Sequence, residues 1–204
     1  MKTTFAIARV SKDECKEILD KYHYLSCISK GFKSGFNYGL FNKGILVGVC
    51  IFTGLPSPEL LPGMFGLPRN EQKGIFELSR LCLTPDIQSE EHNITSWFVS
   101  RCIKQLRKDT HVRAILSYAD CTFHKGTIYA ACNFTYYGLT QKKKDFWFLS
   151  DSGCYVKHSR GKVKGANGEW RDRSRKHRFV LTFDKNLNIK WVPEKWTSHI
   201  TTTA

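Results

Sequence analysis

Apolar and polar residues alternate at the start of the chain, and the pattern predicts a strand followed by a helix. Residues 3–10 alternate with the period of two that is typical of a half-buried strand. Ser11 and Glu14 then form a capping box, in which the serine hydroxyl and the glutamate carboxylate satisfy opposite backbone amides. We therefore expect a short helix from this point to about Tyr22.

The next two apolar segments predict a β-hairpin. Residues 36–41 and 45–53 are separated by Asn42, Lys43 and Gly44. Asparagine and glycine tolerate the positive φ that tight hairpin turns require, so we expect the two segments to pair as adjacent strands.

Proline and glycine interrupt the pattern over residues 54–74, which hold four of each and predict a long irregular loop. A strand at 75–83, a polar connection at 84–93 and an amphipathic helix at 94–108 follow. Shorter elements complete the chain: a strand at 114–119, a helix at 128–132, strands at 134–139 and 146–149, and a final strand at 179–183. This order of elements predicts an α/β fold with a mixed sheet.

Length and composition indicate one globular unit. The 204 residues are 41% hydrophobic and 13% aromatic, which is enough for a sizeable core and argues against disorder. We expect a catalytic domain over 1–150 and a basic C-terminal extension over 151–204 that packs back on it. No apolar leader follows Met1, and the longest apolar run, 45–52, is too short to span a bilayer. We therefore expect a cytoplasmic protein without a membrane partner.

Eight cysteines are spread along the chain without any C-x-x-C pair. A zinc module needs clustered thiolates, and several of these cysteines stand inside apolar runs, where a thiol packs as a small hydrophobe. We expect reduced thiols in a reducing compartment.

The net charge of +14 favours a polyanionic partner. Half of this excess falls within residues 157–178, where nine basic residues stand against Glu169 and Asp172. The segment is either a solvated basic loop or one that follows the backbone of a nucleic acid. The residues predicted to bind double-stranded DNA are Lys157, Arg160, Lys162, Lys164, Arg171, Arg173, Arg175, Lys176 and Arg178.

The densest group of chemically active side chains follows the strand at 114–119. Asp120 comes directly after this strand, His124 four residues later, and Tyr129 inside the next predicted helix. Ligands of open α/β sheets bind at the carboxyl ends of strands, and these three groups suit proton transfer or metal binding. Asp120 alone is equally well explained as a turn cap.

Two smaller groups are further candidates. His23 and Tyr24 follow the first helix, although a single histidine in this position is more often structural. Glu77, Ser79 and Arg80 lie in the strand at 75–83, where they indicate either a cleft or a surface ion pair on a half-exposed strand.

Three motifs occur in a fixed order along the chain. They are Lys-Tyr-His-Tyr-Leu at 21–25, Phe-Glu-Leu-Ser-Arg-Leu at 76–81, and Ser-Tyr-Ala-Asp at 117–120 with His-x-Gly-Thr-Ile-Tyr-x-Ala-x-Asn-Phe at 124–134. A closing Lys-His-Arg-Phe-Val stands at 176–180 after the basic segment. Together they resemble the Mom family of phage DNA-modification proteins over about residues 20–185.

The resemblance implies a GNAT-like fold, with a mixed, mostly antiparallel central sheet flanked by helices. It implies addition of a carbamoylmethyl-type group to N6 of adenine in DNA by a phage-encoded enzyme in the host cytoplasm, which protects the DNA from host restriction. Iron and an acyl-CoA-type donor are the cofactors it implies. It assigns catalytic or metal-associated roles to His23, Tyr24, Asp120 and Tyr129, with His23 and Asp120 as metal ligands. The residues expected to line the cleft are Glu77, Ser79, Arg80, Ser117, Tyr118 and His124.

One departure leaves the donor open. Ordinary acetyltransferases hold the pyrophosphate of coenzyme A in a glycine-rich loop before a helix, but residues 84–93 contain no glycine and carry Asp86, Glu90 and Glu91. An ordinary GNAT N-acyltransferase acting on a protein, tRNA or small amine, and a non-catalytic DNA-binding protein, remain alternatives.

The expected mechanism has an adenine that is flipped out of the duplex and stacked on an aromatic ring. Asp120 accepts the N6 proton, or holds a metal together with His23, and Tyr129 donates a proton or orients the donor. The candidate stacking residues are Tyr24, Phe32, Tyr118 and Tyr136. This mechanism requires His23, Glu77 and Asp120 to meet in one pocket beside the basic segment.

Overall fold

A computed structural model describes residues 5–25, 31–151, 153–157, 163 and 165–197. The strands are β1 Phe5–Arg9, β2 Phe36–Asn42, β3 Ile45–Gly54, β4 Ile75–Leu83, β5 Ala114–Asp120, β6 Thr135–Leu139, β7 Lys144–Leu149, β8 Tyr155–Lys157, β9 Gly168–Asp172 and β10 Lys176–Thr182. The helices are α1 Lys12–Tyr22, α2 Leu60–Phe65, α3 Pro85–Glu90, α4 Ile94–Asp109 and α5 Thr127–Ala131.

Within the described residues, seven strands form the main sheet in the order β1-β2-β3-β4-β5-β10-β6. Its neighbours are antiparallel except β4 and β5, which are parallel. A second, smaller sheet contains three strands of the described part, in the order β8-β7-β9. The main sheet is thus mixed, as the order of elements predicts, and mostly antiparallel, as the family resemblance implies.

Helices cover both faces of the main sheet. On one face, Phe98 and Cys102 of α4 pack with Phe52 of β3 and Phe179 of β10. On the other face, α1 packs against β3 and β4, and α2 packs against β5 and β10. The sheet is therefore the middle of three layers, and any opening through it connects two differently lined faces.

Local sequence explains the first elements. Ser11 and Glu14 form the predicted capping box, with a bond of 2.7 Å from the Ser11 amide to the Glu14 carboxylate and one of 3.1 Å from the Glu14 amide to the Ser11 hydroxyl. Lys43 and Gly44 both have positive φ in the β2–β3 turn. The predicted helix and hairpin are confirmed.

Two segments predicted as irregular contain short helices. Leu61, Met64 and Phe65 of α2 are buried at helical spacing, and Gly66 ends this helix in the left-handed conformation. Pro85 occupies the first turn of α3, where its missing amide costs nothing, and Ile87 is buried. Apolar contacts with the core stabilise these helices despite the proline and glycine residues that predicted loops.

The basic segment is not one long loop. Strand β9 lies within it, and β10 begins at Lys176, three residues earlier than predicted, and lies between β5 and β6. The predicted strand at 146–149 begins at Lys144 and belongs to the second sheet. The division at residue 150 stays a prediction, but β10 is an internal strand of the main sheet.

The cysteines of the described part are all free, and Cys15, Cys50, Cys82, Cys102 and Cys132 are buried. They contribute to the apolar clusters as small side chains. None of the described helices has the length and apolar character needed to span a bilayer.

Gly126 precedes α5 with φ of +80°, and a Cβ at this position would overlap the ring of Phe179. Gly44 has a similar φ of +82° with no heavy atom within 4 Å of such a Cβ. We predict that Gly44→Ala costs about 1 kcal/mol through backbone strain alone. Gly126→Ala should cost about 1–3 kcal/mol more because the core is overpacked. Urea denaturation of both variants measures the difference, and equal losses would show that the Phe179 contact does not constrain α5.

Candidate active site

The site lies where β4 and β5 separate. The two strands pair from Ile75 and Ala114 as far as Leu78 and Ser117, and their pairing then stops. The buried hydroxyl of Ser117 donates a hydrogen bond of 3.0 Å to the carbonyl oxygen of Leu78. This bond holds the last paired position, so the strands diverge immediately beyond it.

A β-bulge in β4 stands at the same point. Ile51 pairs with Arg80 and Phe52 pairs with Leu78, which leaves Ser79 as the extra residue. The Ser79 hydroxyl donates a bond of 3.2 Å to the carbonyl oxygen of Ile51. A bulge bends its strand and increases the twist. It therefore contributes to the separation of β4 from β5.

A cleft of about 420 Å³ lies at this separation. Its walls come from β4 and β5, the residues after α1, the loop before α5, α5 itself and the start of β10. The predicted site residues among those that line it are His23, Tyr24, Glu77, Ser79, Arg80, Tyr118, His124, Tyr129 and Lys176. Segments that are distant in sequence thus converge on one cavity.

The cleft has chemically different groups on the two faces of the sheet. The strand register places Glu77, Arg80 and Tyr118 on the face covered by α1 and α2. Tyr129 and Ile128 of α5 lie on the opposite face, with the α4 cluster. Two molecules that enter from opposite faces would therefore meet near the Leu78–Ser117 junction.

Glu77 is the one carboxylate among the described residues that line the cleft. Burial raises the pKa of Glu77, and the positive charges of Lys176, Arg80 and Lys33 oppose this shift. A carboxylate that is partly removed from water, with cations nearby, is well suited to accept a proton from a bound amine.

Tyr129 provides the complementary proton donor. Its ring packs against Phe134 and Phe179, with centroid distances of 5.6 and 5.2 Å. Burial raises the pKa of Tyr129 to about 12, although its hydrogen bond with Ser117 acts in the opposite direction. The phenol therefore remains protonated at neutral pH.

His23, Tyr24 and His124 line the cleft, and Phe123 beside them extends these rings into an aromatic platform. Tyr24 stacks on His23 at 4.6 Å and contacts Phe123 at 4.5 Å and His124 at 5.1 Å between centroids. Phe123 is 48% exposed although it is a large apolar side chain. Such a surface can stack on a planar ligand.

His23 is held as a neutral imidazole. Its Nδ1 accepts a hydrogen bond of 3.1 Å from the Leu25 amide, which requires that nitrogen to be unprotonated. Burial lowers the pKa of His23 to about 4, and Arg80 and His124 contribute in the same direction.

Comparison with known proteins identifies the chain. The model of the Mom protein family matches residues 4–195. The chain belongs to the Mom protein family. No curated protein matches it.

Solved structures establish the fold of this Mom-family chain as that of the GNAT acetyltransferases. The IAA acetyltransferase of Bacillus cereus has a TM-score of 0.52 at 13% identity, covering 88% of this chain and 99% of its own. A ribosomal-protein alanine N-acetyltransferase from Escherichia coli has a TM-score of 0.51 at 12% identity, covering 90% and 99%. The yncA protein of Salmonella typhimurium, solved with its cofactor acetyl-CoA, has a TM-score of 0.53 at 12% identity, covering 91% and 97%.

Asp120 does not join the residues that line the cleft. Its carboxylate accepts a bond of 3.0 Å from the Thr122 amide and a short bond from the Ser174 hydroxyl. These contacts fix the turn after β5, from which Phe123 and His124 extend. The turn-cap interpretation of Asp120 therefore describes its contacts, whereas His23 and Glu77 meet in the cleft as expected.

The predicted metal pair does not fit an iron site. Among the described residues, no three His, Cys, Asp or Glu side chains come together as a ligand set. His23 uses Nδ1 for the Leu25 amide, and Asp120 is bound to Thr122 and Ser174 outside the cleft.

The candidate stacking residues differ in their positions. Tyr24 and Tyr118 line the cleft, whereas Phe32 lies beside a smaller neighbouring cavity. Tyr136 is buried, and its hydroxyl lies 2.9 Å from Nδ1 of His177. The expectation that Tyr136 could stack on a base is wrong, because its ring is buried against His177 and Phe179.

Several of the basic residues predicted to bind DNA form contacts within the protein. Arg160, Lys162 and Lys164 lie outside the described residues. The Asp145 carboxylate forms ion pairs with Lys157, at 2.6 Å, and with Arg173, whose guanidinium makes a bidentate contact. The hydrogen bonds from Arg173 are the main cause that lowers the pKa of Asp145 to about 2. Arg171 pairs with Glu169 at 2.5 Å.

The remaining three lie in or beside β10. Arg175 donates to the carbonyl oxygen of Thr140 at 2.7 Å, and Arg178 lies 4.4 Å above the Trp191 ring. Lys176 is exposed and lines the cleft. DNA binding by the basic segment stays a prediction, and Lys176 is the best placed of its described members.

Sequence reasoning missed Phe123 and the basic run Lys142, Lys143 and Lys144. A large aromatic residue in a polar loop next to His124 was the available signal for Phe123. Three consecutive lysines before a predicted strand were equally visible.

We predict that His23 does not titrate between pH 7 and 5. The pKa of His23 in the folded protein, about 4, lies below the ordinary value of 6.5 for a histidine, so protonation favours the unfolded chain. The folded protein therefore loses stability at this residue as the pH falls from 6.5 towards 4. NMR of the ring Cε1–H, assigned with His23→Gln, follows the titration directly. A midpoint near 6.5 would show that the ring is not buried in the cleft wall.

Proposed function

We propose that this Mom-family protein is a transferase that modifies the N6 amino group of adenine in double-stranded DNA. The product would carry a carbamoylmethyl-type group and would protect phage DNA from host restriction. The observation that carries the proposal is the cleft through the sheet, with a carboxylate on one face and a phenol on the other. Family membership and the GNAT fold support it.

The donor side of the cleft fits an extended, amide-bearing arm of the acyl-CoA type. Beyond Leu78 the β4 edge that faces β5 has no strand partner among the described residues, and a free edge can hydrogen-bond to such an arm. When bound, this group would supply an activated carbon with a thiolate leaving group. Residues 84–93 contain no glycine and form α3 instead of a phosphate cradle, so the identity of the rest of the donor is open.

The acceptor side fits an adenine ring. The rings of Tyr24 and Phe123 offer a stacking surface, and Arg80 and Lys176 give the surroundings of Glu77 a positive charge that suits the phosphates of a nucleotide. An adenine inside a duplex cannot reach this cleft, so the base must first leave the stack.

The proposed step balances in atoms and charge. The N6 nitrogen forms a bond to the electrophilic carbon of the donor, and its proton passes to the Glu77 carboxylate. The carbon–sulfur bond breaks, and the Tyr129 phenol donates a hydrogen bond to the departing thiolate. This transfer gives an N6-acyl adenine; a glycyl group attached in this way is an isomer of the carbamoylmethyl group and must still rearrange to it. The N6 amine is a weak nucleophile because its lone pair is shared with the ring, so removal of its proton must accompany bond formation.

Asp120 acts in this scheme as a positioning residue. It binds the Thr122 amide and the Ser174 hydroxyl and thereby orients the loop that presents Phe123 and His124. Its loss should alter how the base is held more than how the proton is transferred.

We predict that Glu77→Gln lowers modification by about 100-fold or more, since general-base catalysis typically contributes that much. Asp120→Asn should retain more activity than Glu77→Gln. DNA from cells that express each variant is digested to nucleosides, and mass spectrometry measures the modified adenine. The modified nucleoside must be fragmented in the mass spectrometer, because an N6-glycyl amide and an N6-carbamoylmethyl group have the same mass and only their fragment ions distinguish them.

Glu59→Gln is the matched control, because Glu59 is exposed and its ion pair is with Arg69. With purified protein, the reaction rate should fall as the pH drops through the raised pKa of Glu77. This acidic decrease in the pH–rate profile should be absent in Glu77→Gln. Unmodified DNA with acylated protein, tRNA or small amines would establish an ordinary N-acyltransferase instead. Unmodified nucleosides with no acylated product of any kind would establish a non-catalytic DNA-binding protein.

A further inference from the structure

Exposed apolar side chains concentrate on the second sheet. Seven large hydrophobic residues of the described part are exposed, and four of them belong to this small sheet: Leu149, Tyr155, Val156 and Trp170. Exposed apolar side chains that lie together on one face generally mark a binding surface. The function proposed above gives no role to this sheet.

The register sorts these residues onto two faces. Trp170 pairs with Phe146, and Val156 pairs with Phe148, so these four side chains share one surface, here called the aromatic face. Tyr155 pairs with Leu149 on the opposite face of the sheet.

Trp170 is the most exposed aromatic residue of the described part, at 55%. Its ring rests edge-on against the buried Phe146 ring, with 5.4 Å between centroids. This support fixes the base of the indole while its outer part stays in solvent. An exposed but supported indole suits insertion into a stack of planar groups.

The second sheet is attached next to the cleft. The Thr140 amide donates to the Lys176 carbonyl oxygen at 2.9 Å, and the Arg173 amide donates to that of Lys143 at 2.8 Å. Lys176 lines the cleft, and Trp170 precedes it by six residues, which limits their separation to roughly 20 Å at the rise of an extended chain. A duplex that delivers a base to the cleft would therefore lie within reach of the aromatic face.

Positive charge occupies the junction between cleft and sheet. Lys142 and Lys143 are exposed, and neither has an ion pair within the described ranges. Lys144 has only a distant contact of 3.9 Å with the exposed Asp172. Three adjacent lysines beside an exposed indole combine phosphate binding with an apolar wedge.

We propose that the second sheet docks on duplex DNA, with Lys142–Lys144 on the phosphates and Trp170 inserted at the base step beside the extruded adenine. The proposal rests on the proposed function of the cleft, because it assigns the sheet the task of supplying that cleft with its base. Removing a base from the stack leaves a gap, and an apolar side chain that enters the gap stabilises the opened duplex.

The test compares Trp170→Ala with Tyr155→Ala, the matched control on the opposite face of the same sheet. A duplex with 2-aminopurine at the target position reports base opening through its fluorescence, whether or not any group is transferred. The same variants are assayed for modification of a normal duplex and of one in which the target adenine stands opposite an abasic site, so that it is already poorly stacked.

Trp170→Ala should reduce the fluorescence increase and lower modification of the normal duplex about tenfold or more, as expected for loss of one base–aromatic stack. The abasic duplex should restore most of this loss, and Tyr155→Ala should behave like the wild type. Equal losses on both duplexes, or no loss with Trp170→Ala, would overturn the role of Trp170. A fluorescence increase without modification by the wild type would contradict the proposed function of the cleft but support the wedge.

The salt dependence of DNA affinity tests the proposed role of Lys142 and Lys143 separately. Replacing Lys142 and Lys143 with alanine should weaken DNA binding to all sequences and reduce the slope of log affinity against log salt by about two. An unchanged slope would overturn the placement of these lysines on the phosphates.

Discussion

The site depends on the point at which two parallel strands stop pairing. Ser117 holds Leu78 through a buried hydrogen bond, and the bulge at Ser79 bends β4 away directly afterwards. Without this separation the sheet would be closed, and Glu77 and Tyr129 would lie on opposite sides of a continuous layer. The opening lets two faces with different chemistry share one cavity, which is what transfer between two separately bound molecules requires.

Charge and burial give the residues of the cleft different protonation properties. Glu77 is partly removed from water yet surrounded by cations, while Tyr129 is kept protonated by its apolar surroundings. Neutral His23 supports Tyr24 as part of a ring surface instead of acting as a cation. In the proposed function these environments serve proton transfer and stacking.

The sequence predicts the early elements because their signals are local, whereas most of the cleft residues are predicted by the resemblance of three separated motifs to the Mom family. The capping box at Ser11 and the turn at Gly44 need only neighbouring residues. The short helices α2 and α3, and the insertion of β10 beside β5, depend on tertiary contacts that no local pattern contains. Asp120 illustrates the same limit, since its partner Ser174 is 54 residues away and no spacing rule connects them.

The central claim is that an extruded adenine occupies the Glu77 side of the cleft. A crystal structure of the protein with a duplex whose target adenine stands opposite an abasic site would test it most directly. The account predicts the base stacked on the Tyr24 and Phe123 rings, with N6 within hydrogen-bonding distance of the Glu77 carboxylate. An adenine that remains in the duplex stack, or a base bound on another surface while the cleft holds none, would contradict it.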